Sequence, residues 1–81
     1  MKYVYLLRSL SNPTETCIGI TDDLNRRLNE HNTGKSVHTS KNVPWEVEVA
    51  IRFRADSCAV AFERYLKSGS GHAFAKRHFW S

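Results

Sequence analysis

Arg27 and His31 carry side chains that could both reach one phosphate group. They lie four residues apart, which makes them neighbours on the surface of a helix. A stripe of helical spacing contains Leu24, Leu28 and His31. Arg27 lies about 60° from this stripe, whereas Arg26 points toward solvent. Periodicity alone favours a simpler interpretation, in which the stem of Arg27 covers the leucines and His31 is an ordinary surface histidine.

Glu63 is a carboxylate at the margin of an apolar helix face. It follows Ala59 by four residues and precedes Leu66 by three, while Arg64 points outward. A carboxylate in such a place needs a cation, hydrogen-bond donors or a metal ion. An ion pair with Arg27 or a lysine is the structural interpretation. The functional one is a single Mg²⁺ or Mn²⁺ held by this carboxylate together with water molecules and a phosphate.

Three further features could carry chemistry but have simpler explanations. Tyr3 and Tyr5 point to one side of a strand, as core aromatics do, although a buried tyrosine needs a partner for its hydroxyl. Cys17 and Cys58 are too few for a disulfide framework and lack zinc spacing, so we expect two buried thiols. The segment 68–71 could cradle a phosphate, but a helix end followed by a helix start explains its glycines and serines better.

The composition is that of one small, basic, globular domain. The chain has 81 residues, of which 41% are hydrophobic and 25% charged, so we expect a single domain over residues 1–81. The net charge of +4 favours a polyanionic partner, nucleic acid before a membrane surface. A basic surface kept for solubility is the other interpretation. The apolar runs are too short for a membrane span or a signal peptide, so we expect an intact cytoplasmic chain.

Hydrophobic patterns and turn residues predict the elements that must position these side chains. Strands are predicted at residues 3–8, 16–20 and 45–53, and helices at 22–32, 58–67 and 72–78. We expect Thr21 or Asp22 to cap the first helix and Ser70 the last. This order predicts an α/β (α+β) fold, in which helices flank a three-stranded antiparallel sheet with the first strand at its centre. The third strand is predicted to lie at an edge with one apolar face, formed by Val47, Val49, Ile51 and Phe53.

The order and spacing of these residues resemble the GIY-YIG nuclease superfamily along nearly the whole chain. Tyr3-Val4-Tyr5 stands where the family has Gly-Ile-Tyr, and Cys17-Ile18-Gly19 where it has Tyr-Ile-Gly. Arg27 follows the second motif by eight residues and His31 comes four residues later. Glu63 lies on the next helix after the third strand. The segments 18–34 and 67–71 are especially similar to small stand-alone members, so the chain resembles a bacterial-type, single-domain member.

The resemblance implies a reaction and a role for each residue. Members cleave a DNA phosphodiester with one divalent ion, so Glu63 is expected to hold Mg²⁺ or Mn²⁺ and Arg27 to stabilise the charge of the transition state. Tyr5 is expected to contact or deprotonate the attacking water, and His31 to hydrogen-bond the phosphate or relay a proton. Gly19 is expected to let strand and helix approach closely. The chain is thus expected to be a metal-dependent endonuclease of low intrinsic sequence specificity, acting in DNA repair or processing.

Two motif positions depart from the family pattern. Tyr3 replaces the glycine of the first motif, a change found among small members. Cys17 replaces the tyrosine of the second motif and removes one of the two motif hydroxyls. The resemblance therefore leaves two functions open. The chain is either an active nuclease or a catalytically weakened module of the same fold that binds nucleic acid.

Several basic side chains are expected to follow the DNA backbone without reading its sequence. These residues are Lys35, Lys41, Lys67, Lys76 and Arg77. We expect no appended domain, because the residues of the resemblance occupy nearly all of the sequence. Specificity would then come from a protein partner, from a second copy of the chain, or from the structure of branched, nicked or single-stranded DNA.

Overall fold

The computed structural model describes residues 1–80 and contains the predicted elements in the predicted order. They are the strands β1 (Lys2–Ser9), β2 (Thr16–Thr21) and β3 (Trp45–Phe53), the helices α1 (Leu24–Asn32), α2 (Asp56–Leu66) and α3 (Gly69–His78), and a short 3-10 turn at Ser40–Asn42. The α+β class predicted from the sequence is confirmed. Within residues 1–80, none of the helices is long and apolar enough to cross a membrane.

The strand β1 lies at the centre of an antiparallel sheet with the order β2-β1-β3, as predicted. Its side chains alternate between two covered faces. Val4 and Leu6 are fully buried against α2 and α3, while Tyr5 and Leu7 are buried against α1. A strand covered on both faces loses the usual alternation of apolar and polar residues, which explains the continuous apolar run in this segment.

The prediction of one continuous apolar face on β3 is wrong. The pairing of β1 with β3 shifts its register between Leu6 and Leu7, which pair with Val49 and Val47. Such a β-bulge re-aims the side chains that follow it. As a result Val47 packs with Tyr5 on the α1 face, whereas Val49 packs with Val4 on the opposite face. The bulge lets β3 contribute apolar side chains to both clusters.

The first helix begins one to two residues later than the capping prediction implied. Its N-cap is Asp23, whose side chain accepts a hydrogen bond from the backbone N–H of Arg26. Thr21 instead accepts from the backbone N–H of Asp23 and lies buried beneath the turn. Asp23 therefore satisfies one of the free N–H groups of the first turn of α1. This cap sets where α1 begins and so which of its residues face the sheet.

The last helix begins three residues earlier than predicted, because its cap is Ser68 and not Ser70. The Ser68 hydroxyl accepts from the backbone N–H of Gly71. A Cβ atom at Gly71 would overlap the carbonyl oxygen of Tyr65, so this glycine allows α3 to start directly against the end of α2. The structure thus confirms the simpler explanation of the segment 68–71, a helix end followed by a helix start.

Candidate active site

The hydroxyl of Tyr5 joins three of the four side chains predicted to be catalytic. Tyr5 is 2% exposed, and its Oη atom lies 3.1 Å from Nε2 of His31. Nε of Arg27 donates a hydrogen bond to the same oxygen at 3.3 Å. The central strand and α1 thus bring together residues that lie 22 and 26 positions apart in the chain. The arrangement places a cation and an imidazole on one phenol.

Gly19 makes the position of the Tyr5 ring possible. The two residues are paired across β1 and β2, so they lie on the same face of the sheet. A Cβ atom on Gly19 would overlap the hydroxyl and ring of Tyr5. The close approach that this overlap shows is to the ring of Tyr5. The expected approach of strand and helix at Gly19 stays a prediction. The missing side chain of Gly19 makes room for a tyrosine of the neighbouring strand.

Arg27 lies at the border of the core, as its helix position predicts. It is half-buried, with 37% of its side chain exposed, whereas Arg26 is exposed and pairs with Asp22. The Nη1 atom of Arg27 donates to Oε1 of Glu30 at 3.1 Å. The sequence interpretation missed Glu30, although its spacing of three residues from Arg27 on one helix is a signal for such a pair. Glu30 holds the guanidinium while Nε contacts Tyr5.

His31 is buried and not a surface histidine. It is 2% exposed, and its Nδ1 atom lies 2.8 Å from Oγ1 of Thr39. Thr39 is 5% exposed, and its carbonyl oxygen accepts from Nε1 of Trp45 at 2.9 Å. Nothing local in the sequence singles out Thr39, because it lies in a polar loop without periodicity. It joins the site only through the tertiary fold.

The electrostatics of the site keep Tyr5 and His31 uncharged near neutral pH. Burial raises the pKa of Tyr5, and this effect outweighs the hydrogen bond and positive charge of Arg27, which lower it. Burial and then the charge of Arg27 lower the pKa of His31. The hydrogen bonds to Tyr5 and Glu30 raise the pKa of Arg27, so its guanidinium stays charged. At rest the site is a neutral phenol and a neutral imidazole beside one fixed cation.

Glu63 lies on α2 and pairs with a lysine, one of the partners that its position predicts. Its Oε2 atom lies 2.6 Å from Nζ of Lys67, and 15% of its side chain is exposed. The positive charge of Lys67 lowers the pKa of both Tyr5 and Cys17, although burial raises each pKa by more. The charge of Lys67 therefore acts on the part of the site that contains Tyr5. Within residues 1–80, Glu63 makes no hydrogen bond to Tyr5, Arg27 or His31.

The residues present fit a divalent ion that keeps most of its water. In the part of the chain that the structure describes, no three His, Cys, Asp or Glu side chains cluster as a metal cage. Mg²⁺ is commonly bound by one or two carboxylates together with water and substrate phosphate. The half-buried carboxylate of Glu63 is one ligand of the kind that this mode needs, although its ion pair with Lys67 must open first. A metal site made of protein ligands alone does not fit these residues.

The two altered motif positions lie on the same sheet face as Tyr5. Cys17 pairs with Leu7 on the α1 side and is half-buried, and burial raises the pKa of its thiol. Tyr3 lines an open surface cavity of about 260 Å³ at the start of α1, beside the site and not within it. The expectation of two buried thiols is wrong, because Cys17 is only half-buried and Cys58 is exposed near the start of α2.

The basic residues predicted to follow DNA are all exposed. Lys35 and Lys41 lie in the connection between α1 and β3, while Lys76 and Arg77 lie in the last turn of α3. Lys67 alone among them acts electrostatically on Tyr5. The structure therefore brings together Tyr5, Arg27 and His31 by direct contacts and adds Lys67 through its charge.

Comparison with known proteins identifies the family of the domain. A sequence profile described as the GIY-YIG catalytic domain matches residues 1–77. The chain is 37% identical over 82 residues to the structure-specific endonuclease subunit SLX1 of Candida dubliniensis, covering 93% of this chain and 27% of that relative. The same subunit of Debaryomyces hansenii is 35% identical over 85 residues, covering 96% of this chain and 23% of the relative.

These matches cover only a part of longer proteins. The chain spans about a quarter of the length of the two SLX1 relatives. Both relatives are fungal, so the expectation of a bacterial-type member is not borne out. The profile covers both motif strands, Arg27, His31 and Glu63. The chain belongs to the GIY-YIG family.

Proposed function

We propose that this chain is a divalent-metal-dependent endonuclease domain that cleaves DNA phosphodiester bonds. The observation that carries the proposal is the buried Tyr5 hydroxyl held between Nε2 of His31 and Nε of Arg27. A buried phenol that contacts both a neutral imidazole and a cation is suited to proton transfer beside a developing negative charge. The SLX1 relatives, which are named as endonuclease subunits, support the same reaction class.

His31 would accept a proton from Tyr5 while Tyr5 takes one from the attacking water. The ordinary pKa values of tyrosine and histidine, about 10 and about 6.5, already make the first transfer uphill by about 5 kcal/mol. Burial widens this gap by raising the pKa of Tyr5 and lowering that of His31. A free phenolate would therefore not accumulate. The two proton transfers would occur together with attack on phosphorus, while the N–H of Arg27 stabilises the charge on the phenol oxygen.

Arg27 and Glu63, which lie on helices that cover opposite faces of the sheet, would both act on the phosphate. Arg27 exposes more than a third of its side chain, so its guanidinium can meet a phosphate without losing its contact to Tyr5. Glu63 would hold Mg²⁺ or Mn²⁺ once Lys67 moves aside. When bound, the ion would supply positive charge at the phosphate and the leaving oxygen.

The charge of the domain and the names of its relatives support a proposal for its substrate and partners. Exposed lysines and arginines on separate elements favour backbone contacts over base readout, so we propose low intrinsic sequence specificity. The SLX1 relatives are named as structure-specific subunits. We therefore propose branched DNA as the preferred substrate and a protein partner as the source of further specificity, with a second copy of the chain as the other source. A role in DNA repair within the cytoplasm is consistent with this activity.

A catalytically weakened binding module is the second candidate, and Cys17 favours it. The thiol stands in the position of a motif tyrosine, and burial raises its pKa. A neutral thiol is a weaker hydrogen-bonding group than a phenol. Such a module would bind DNA in a salt-sensitive way without cleaving it.

A cleavage assay with supercoiled plasmid and branched duplexes tests the proposal. We expect nicking with Mg²⁺ or Mn²⁺ and none with EDTA. Glu63→Gln and Arg27→Ala should each abolish cleavage while leaving the thermal unfolding transition in place. Glu46→Gln and Arg26→Ala are matched controls, because both residues are exposed. Cleavage that survives Glu63→Gln and Arg27→Ala, or that persists in EDTA, would contradict the assigned site.

A further inference from the structure

Both ring nitrogens of the buried His31 face hydroxyl groups. Nε2 lies 3.1 Å from Oη of Tyr5, and Nδ1 lies 2.8 Å from Oγ1 of Thr39. A neutral imidazole has one N–H donor and one acceptor, whereas a hydroxyl can play either part. The other partners of the two hydroxyls therefore decide which nitrogen carries the proton.

The surroundings of Tyr5 favour Nε2 as an acceptor. Nε of Arg27 can only donate, and it donates to the oxygen of Tyr5 at 3.3 Å. This bond occupies a lone pair of the oxygen and leaves the O–H of Tyr5 free to donate. The nearest acceptor for that O–H is Nε2 of His31. In this arrangement His31 is poised to receive the proton of Tyr5.

The surroundings of Thr39 independently suit Nδ1 as a donor. Oγ1 of Thr39 lies within 3.4 Å of the carbonyl oxygen of Ser36, which can only accept. The Thr39 hydroxyl can therefore donate to Ser36 while its oxygen accepts from Nδ1–H of His31. Two separate networks thus fit the same tautomer of His31, with the proton on Nδ1 and the lone pair on Nε2.

Thr39 is itself held in place by groups other than His31. Its carbonyl oxygen accepts from Nε1 of Trp45 at 2.9 Å, and its backbone N–H donates to Ser36 at 3.2 Å. The amide of Asn32, at the end of α1, bonds both backbone groups of Trp45. Thr39 is therefore fixed relative to the helix that carries His31, as a positioning residue must be.

We propose that Thr39 is a positioning residue that holds His31 in its Nδ1–H tautomer, so that the Nε2 lone pair faces the O–H of Tyr5. In the reaction the O–H bond of Tyr5 breaks and an N–H bond forms at Nε2. The electron pair left on Oη takes a proton from the attacking water, whose oxygen bonds to phosphorus as the bond from phosphorus to the leaving oxygen breaks. The Nε2 proton then returns through the hydroxyl of Tyr5 to the leaving oxygen or to solvent. The catalytic part of this inference rests on the proposed nuclease function, whereas the tautomer does not.

Nitrogen-15 NMR of the imidazole rings tests the tautomer directly. In the wild-type protein near neutral pH, Nδ1 of His31 should show the shift of a protonated nitrogen and Nε2 that of an unprotonated one. A wild-type His31 with the proton on Nε2 would overturn the proposal, whatever the variants do. This readout needs no cleavage activity, so it decides on Thr39 even if the chain cleaves no DNA.

Matched substitutions test the role of the hydroxyl. Thr39→Val keeps the shape of the side chain but removes the acceptor, so we expect the Nδ1–H signature to be lost and cleavage to fall about tenfold to a hundredfold. Thr39→Ser keeps the hydroxyl, so it should keep both the Nδ1–H signature and the cleavage rate of the wild type. Thr33→Val is the control, because the Thr33 hydroxyl bonds exposed carbonyls at the end of α1 and does not face His31. A folded Thr39→Val protein with an unchanged His31 tautomer would refute the proposal.

Discussion

The ring of Tyr5 lies over the backbone of Gly19, its partner on the neighbouring strand. The absence of a side chain at Gly19 therefore allows the phenol of Tyr5 to reach across β2 toward Arg27 and His31. A motif glycine and a motif tyrosine thus depend on each other for a steric reason. The same relationship predicts what a single added methyl group would do.

Gly19→Ala should displace the Tyr5 ring and break its contacts to Arg27 and His31. We expect cleavage to fall by about a hundredfold or more, because misplacement by about 1 Å has that effect on catalysis. Overpacking of this kind should also lower the free energy of unfolding by about 1–3 kcal/mol, measured in urea. Gly69→Ala is the control, since a Cβ atom at Gly69 meets nothing within 4 Å. Equal behaviour of the two variants would show that Gly19 plays no steric part.

Cys17→Tyr should separate a slow enzyme from a binding module. Cys17 lies on the same sheet face as Tyr5, two residues along β2 from its partner Gly19. A phenol there would restore the second motif hydroxyl, so we expect cleavage to rise by about a hundredfold if general acid–base chemistry limits the rate. Thr16→Tyr adds the same side chain to the opposite face and should change nothing. Salt-sensitive DNA binding with no cleavage by either variant or the wild type would favour the module.

More of the fold than of the site could be predicted from the sequence, and the reason is physical. Helix geometry converts spacing into direction, so the inward positions of Arg27 and Glu63 and the outward ones of Arg26 and Arg64 follow from the sequence. The structure confirms all four. Strand order followed from the continuous apolar run of β1, which is typical of a central strand covered on both faces.

The β-bulge and Thr39 could not be predicted, because each depends on a partner far along the chain. The alternation within β3 is regular, and the bulge exists only in the pairing of Val47 and Val49 with β1. Thr39 lies in a loop that has no period, and Trp45 anchors it beside His31. Tertiary contacts, and not local patterns, complete the site.

Burial of His31 should make the protein lose stability in mild acid. Because its pKa is lowered in the folded state, the unfolded chain binds a proton first as the pH falls below about 6.5. This contribution to stability is full above that pH and is lost as the pH falls toward the folded-state pKa, by at most about 1.4 kcal/mol per pH unit. His31→Gln should flatten the dependence in urea unfolding between about pH 7 and pH 5. The control His38→Gln, at an exposed position, should not flatten this dependence. Parallel curves of stability against pH for the wild type and both variants would contradict the role of His31.

Removal of the Tyr5 hydroxyl tests the central claim most directly. Tyr5→Phe keeps the ring over Gly19 but deletes the one atom that joins His31 and Arg27. Tyr65→Phe is the matched control, because Tyr65 is 39% exposed on the far side of the sheet. The measurement is the rate of metal-dependent plasmid nicking by folded protein. We predict that Tyr5→Phe lowers it by about 10²–10⁴-fold while Tyr65→Phe leaves it unchanged. A Tyr5→Phe protein that cleaves at the wild-type rate would contradict the account.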